Sequence, residues 1–212
     1  MNIKKGTTTV GLVCKDGVVL AADRRATAGT LIVDKKAQKI YQLSDKVAVT
    51  IAGAVAEAQL IVKLIGAEMR LKAIRMERVP RMKEVANMLG GILYGSLRRF
   101  SFVPSITHFL LGGADDRGVH LYDLFPDGSV TDIDDYTSSG SGSVIAYGVL
   151  EVQWRKDMSA DEGVRLAIRA INAAMQRDSA SGNGIDAVKV TPQGVERVFA
   201  QAIEAKIEVK ER

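Results

Sequence analysis

The hydrophobic pattern over the opening third of the chain is that of strands. Residues 8–14 and 18–22 are β-prone runs that flank Lys15-Asp16-Gly17, a hairpin turn signal. Short runs of the same kind follow at 40–41 and 47–52. The period then lengthens. Leu60, Leu64, Ala67, Leu71 and Ile74 recur at helical spacing with Lys63, Arg70 and Arg75 between them, which predicts a helix burying that stripe. Pro80 suits the first turn of a second helix, whose apolar face is Val85, Met88, Leu89, Ile92 and Leu93. Gly90, Gly91 and Gly95 weaken it by propensity, so they are expected to permit close packing against a neighbour.

Strands resume at 107–111 and, after Asp115-Asp116-Arg117-Gly118, at 119–124; another follows the turn Pro126-Asp127-Gly128. Residues 137–143, all Thr, Ser and Gly, read as a loop. A helix at 144–154 is followed by one capped by Ser159, with Glu162 completing a capping box and Val164, Ala167, Ile168 and Ile171 as its apolar face. A last hairpin pairs 185–190 with 195–199 and leads to a charged tail from about residue 200. Few tight βαβ crossovers are available, so a doubly wound parallel sheet is disfavoured. The order predicts a layered α/β fold, a four-layer αββα sandwich of two mainly antiparallel sheets flanked by helix pairs.

With 212 residues, 47% of them hydrophobic and 25% charged, the chain has the composition of one soluble globular domain. No apolar run approaches the roughly 18–20 residues that span a bilayer. The N-terminus lacks the apolar region of a secretory signal, and a lone cysteine, Cys14, fits a reducing cytosol, so a cytoplasmic location with no membrane partner is expected. The formal charge is +4; two of those charges, Lys4 and Lys5, precede Thr7, and +4 less those two leaves +2. So small a balance says little about partners. The basic stretch Arg70, Lys72, Arg75, Arg78, Arg81 and Lys83 reads first as a subunit interface, then as a solvated helix face, and last as an RNA patch, since no aromatics are interleaved for stacking.

A conventional Ser-His-Asp site needs a histidine that can reach a nucleophile. Only His108 and His120 exist, both inside predicted strands between apolar neighbours. They make a poor zinc site without nearby Cys or paired carboxylates, and no phosphate-binding glycine signature appears; no metal or cofactor is expected. What remains is Gly6-Thr7-Thr8-Thr9. Cleavage after Gly6 would leave Thr7 with an α-amine, of ordinary pKa about 7.7–8, beside its own hydroxyl. One residue can then be both nucleophile and base, and a nearby cation would enlarge the neutral fraction of the amine. Gly6 suits self-attack because it tolerates a tight backbone conformation. Alone, such a string is most often a strand start.

Its companions make it informative. Gly6-Thr7-Thr8-Thr9-Val10-Gly11, Ala21-Ala22-Asp23-Arg24-Arg25, Gln38-Lys39-Ile40, Ile51-Ala52-Gly53, Gly140-Ser141-Gly142-Ser143, Ala146-Tyr147-Gly148-Val149-Leu150-Glu151 and Arg177-Asp178-Ser179-Ala180-Ser181-Gly182 occur in that order. From residue 6 to about 199 the sequence resembles the proteasome β-subunit family, of N-terminal nucleophile hydrolases, in its archaeal type. The resemblance implies that residues 1–6 are a propeptide removed by autocatalysis at the Gly6–Thr7 bond, leaving a domain of residues 7–212. It implies Thr7 as nucleophile, Lys39 as the cation beside it, and Asp23, where the family often has Glu, holding Lys39. Ser141, Asp178 and Ser181 would position the amine and a water, and the Gly53 N–H would stabilise the oxyanion.

The resemblance also implies that Ile51, with Ala26, Ala37 and Val55, lines the pocket for the side chain before the cut. None of these is charged, so cleavage after apolar residues is expected. An extended unfolded polypeptide would pair with the backbone of Thr27, Gly53 and Val55. The implied assembly is a seven-membered β ring stacked with rings of α subunits and fed by a regulatory ring ATPase. The alternative is a catalytically silent structural subunit of the same particle; a small-molecule amidase using the same chemistry is a third reading.

Overall fold

The computed structural model describes residues 6–100 and 106–203. The expected propeptide, apart from Gly6, and most of the charged tail lie outside those residues. In chain order the elements are β1 (Thr8–Cys14), β2 (Gly17–Asp23), β3 (Ala26–Ala28), β4 (Leu31–Asp34), β5 (Ile40–Ser44), β6 (Val47–Gly53), α1 (Val55–Met76), α2 (Met82–Leu97), β7 (Thr107–Asp115), β8 (Gly118–Leu124), β9 (Val130–Ile133), β10 (Tyr136–Gly140), α3 (Ser143–Gln153), α4 (Ala160–Met175), β11 (Gly184–Thr191) and β12 (Gly194–Ala202). One five-stranded sheet runs β10-β1-β2-β11-β12 and the other β5-β6-β7-β8-β9, with β3-β4 a separate hairpin. Every pairing is antiparallel.

Period-two alternation sorts the side chains of β1 between two cores. Val10, Leu12 and Cys14 pack against Ala146 and Leu150 of α3 and Leu166, Ala170 and Ile171 of α4. Gly11 faces the other way, where a β-carbon would lie 2.9 Å from Leu121 of the opposite sheet. Val18, Leu20, Ala48, Leu110 and Leu121 fill that space between the sheets. Val49, Ile51, Phe109 and Leu111 cover the far face with Ile61, Ile65, Val85 and Leu89 of α1 and α2. The result is the αββα layering expected.

Five local expectations are corrected. The buried face of α1 is Ala58, Ile61, Ile65, Gly66 and Met69, whereas Leu60, Leu64, Leu71 and Ile74 are exposed. The helix carries two apolar stripes, and the sheet takes the one that holds the small Ala58 and Gly66. Pro80 stands outside α2, whose cap is Arg81; there the Arg81 N–H donates to Glu84. Gly90 does sit tightly, 2.7 Å from Val130 and 2.9 Å from the Gly128 carbonyl for a β-carbon placed on it, but Gly91 and Gly95 face open space. Residues 137–140 are strand, not loop: β10 pairs with β1 from Thr8↔Gly140 to Leu12↔Tyr136. Its hydroxyls suit a buried edge because each finds a partner, Thr137 donating to Asp123, Ser138 to the Thr9 carbonyl, and Ser139 meeting the Thr9 hydroxyl. The hairpin β3-β4 gave no signal, since Leu31, Ile32 and Val33 are an exposed apolar run without alternation. Strand β12 also continues to Ala202, past the expected start of the tail.

Candidate active site

The folding of β1 delivers Thr7 to one end of the sandwich, between the tip of β10 and the cleft beneath β3. Thr7 is buried. Its N–H donates to Ser141 Oγ at 3.3 Å, and its carbonyl accepts from the Gly142 N–H at 3.4 Å. Gly140 makes that approach possible: at φ +94° a β-carbon there would lie 2.0 Å from the Thr7 carbonyl oxygen. Ser141 donates in turn to Asp178 Oδ2 at 2.6 Å, as does Ser181 at 2.6 Å. Thr8 Oγ1 lies 2.7 Å from Ser181 Oγ.

Behind Thr7, Asp23 at the end of β2 meets Lys39 Nζ at 2.7 Å, with both side chains almost wholly out of solvent. The same carboxylate accepts from the backbone N–H groups of Thr8, Arg25 and Gly182, each at 2.9 Å. Asp23 is thereby fixed by four donors. Lys39 has fewer supports, and burial pushes its ammonium below the ordinary value, with Arg25 adding to the shift while Asp23 and Asp178 oppose it. Asp23 and Lys39 are thus a buried pair, not a solvated one.

Thr7 and Lys39 share a cleft of about 330 Å³ with Gly6, Ala26, Thr27, Ala37, Ile51, Gly53 and Val55. The structure therefore brings together every residue named from the sequence: Asp23 is joined through Lys39, Ser141 through Thr7, Asp178 through Ser141, and Ser181 through Asp178 and Thr8. Gly53 closes β6 at φ +107°, with its Cα against the Ile106 carbonyl so that a β-carbon would be 2.3 Å from that oxygen. Sequence reasoning did not single out Asp34 and Gln59, which lie on the same cleft wall. Nor did it give a role to Arg25, whose guanidinium donates to the Ser179 carbonyl and to Asn183. Its place in the Asp23-Arg24-Arg25 run was the available signal.

His108 and His120 are spent elsewhere. His108 pairs with Asp123, and His120 meets Asp115 at 3.1 Å. Among the described residues no group of three or more His, Cys, Asp or Glu is placed to hold a metal, and no helix is long and apolar enough to cross a membrane. Burial, with Asp16 and Glu162 nearby, pushes the Cys14 thiol up to about 12, so it is no rival nucleophile.

Residues 3–190 match the proteasome subunit family. The chain belongs to that family. "Proteasome subunit beta" of Ferroglobus placidus is 48% identical over 204 residues, covering 96% of this chain and 95% of that one. The protein of the same name from Archaeoglobus profundus is 50% identical over 192 residues, 91% of this chain and 87% of its own length. That of Archaeoglobus fulgidus is 44% identical over 207 residues, 94% and 95% of the two chains. The layered, antiparallel fold agrees with that family.

Proposed function

We propose that the chain is a threonine-type endopeptidase subunit of the proteasome core particle, with Thr7 as nucleophile after loss of residues 1–6. The observation that carries the reading is the unbroken path from Thr7 N through Ser141 to Asp178 and Ser181, set beside the buried Asp23–Lys39 pair on one cleft. Once freed, the Thr7 amine takes the hydroxyl proton as the oxygen attacks a peptide carbonyl. Lys39 holds the amine towards its neutral form, and the Gly53 N–H receives the developing oxyanion. The peptide C–N bond then breaks as the Thr7 ammonium gives its proton to the departing nitrogen, leaving an ester. A water positioned by the Ser141, Asp178 and Ser181 hydrogen bonds hydrolyses that ester. Ala26, Ala37, Ile51 and Val55 give the cleft an apolar lining that favours apolar residues before the cut. Extended unfolded polypeptide pairs with the backbone of Thr27, Gly53 and Val55.

Self-processing uses the same groups. Thr7 Oγ adds to the Gly6 carbonyl carbon while its proton passes to the neutral form of Lys39. That proton returns to the Thr7 nitrogen as the Gly6–Thr7 C–N bond breaks, leaving an ester. Water then yields the Gly6 carboxylate and the free Thr7 hydroxyl. The particle is a cytoplasmic stack of seven-membered β rings and α-subunit rings, served by a ring ATPase.

The test is Thr7→Ala in the full-length, assembled chain, with an apolar fluorogenic peptide and N-terminal sequencing. Both peptide turnover and loss of residues 1–6 are expected to disappear. Leader loss persisting in Thr7→Ala would mean that another protease processes the chain. Absence of turnover in an assembled, processed wild-type particle would make the chain the silent structural subunit.

A further inference from the structure

Gly6 occupies a slot with no room for a side chain. A β-carbon on it would lie 1.7 Å from Ala180 Cβ, 2.9 Å from Ser141 Oγ and 3.0 Å from Ala180 Cα, where ordinary contact is 3.4–4 Å. Its N–H donates to Thr27 Oγ1 at 3.2 Å, so the backbone is held from another side. Ser141 Oγ is the end of a rotatable side chain, but Ala180 cannot move aside. Its own N–H donates to Asp178 Oδ1 at 3.3 Å, and that of Ser181 to the Asp178 carbonyl at 3.2 Å. On either side Arg25 grips the Ser179 carbonyl at 2.8 Å and Asn183 Oδ1 at 2.7 Å, while the Gly182 N–H is fixed to Asp23 at 2.9 Å.

We propose that Ala180 is the specificity-determining residue of self-processing: its methyl group, on a loop stapled from both sides, admits only glycine before the scissile bond. This assigns the requirement at residue 6 to room beside Ala180, in place of the backbone freedom that the sequence suggested. The inference rests on the reading of Thr7 as self-cleaving, and the step it governs is attack of Thr7 Oγ on the Gly6 carbonyl. A side chain at residue 6 displaces that carbonyl, and a misplacement of about 1 Å costs on the order of 100-fold in rate.

The experiment follows leader loss by intact mass in four full-length chains: wild type, Gly6→Ala, Ala180→Gly and the double variant. Gly6→Ala is expected to slow leader loss about 100-fold. Adding Ala180→Gly should recover at least about a tenth of the wild-type rate, because the nearest obstacle is then gone. A double variant as slow as Gly6→Ala would overturn the proposal and return the requirement to backbone conformation. A normal rate in Gly6→Ala alone would overturn it equally. Should Ala180→Gly by itself stop processing by loosening the loop, Ala180→Val decides: slow leader loss with Gly6 intact supports the steric reading, and an unchanged rate sinks it. Failure of the underlying reading looks different, since Thr7→Ala would then lose its leader as the wild type does.

Discussion

Lys39 is where two opposing electrostatic effects meet. Burial disfavours its charge, Asp23 at 2.7 Å favours it, and burial wins. In the unfolded chain a lysine keeps its proton up to about 10.5. The native chain surrenders it at lower pH, so between the lowered value and 10.5 the unfolded state binds more protons and stability rises with pH. Urea unfolding at several pH values should show that rise in the wild type and not in Lys39→Met; equal slopes would mean that Lys39 titrates as if in water. Lys39→Ala should lower kcat/KM at least about 100-fold. It should destabilise by less than the roughly 3–5 kcal/mol usual for a broken buried pair, because Asp23 keeps three backbone donors. At this scale the sequence was legible in kind, since Thr7, Asp23, Lys39, Ser141, Asp178 and Ser181 all stand in recognisable blocks. Arg25 and Ala180 stand in the same blocks but drew no role, because what they do depends on where a loop is held, which no residue type announces.

Elements show the limit more sharply. Capping chemistry is local, so the start of α4 could be read from Ser159 and Glu162, and both halves of that box form. Strand β10 could not be read, because Thr, Ser and Gly signal a loop until buried acceptors on β1 and β8 are there to receive their hydroxyls. The glycines of α2 likewise look alike in sequence and differ in the fold. Gly90→Ala pushes a methyl group into Val130 and the Gly128 carbonyl and is expected to cost about 1–3 kcal/mol. Gly91→Ala meets nothing within 4 Å and should stabilise by about 0.5–1 kcal/mol through helix propensity. Thermal unfolding of the two single variants checks the pair; shifts of the same sign would refute the packing argument.

For the whole molecule, the order of strands and helices was enough to predict four layers, because antiparallel neighbours and outer helix pairs are the simplest way to bury those faces. The side of α1 that meets the sheet was not, since either apolar stripe could have done so. The one left outside is large: Leu60 is 60% and Ile74 74% exposed, with Leu64 and Leu71 between them. The basic residues beyond it are partly neutralised within the chain, Arg78 by Glu84 and Arg81 by Asp116, which argues against a nucleic-acid surface. Under the ring assembly proposed above, the neighbouring subunit is what covers the stripe, burying apolar area at about 25 cal/mol per Å². Leu60→Glu combined with Ile74→Glu removes nothing from the three cores, so far-UV circular dichroism should be unchanged. Size-exclusion chromatography should instead show the assembled particle replaced by small species. A particle of wild-type size would show that α1 turns this face to solvent, and the contact between subunits would have to lie on another surface.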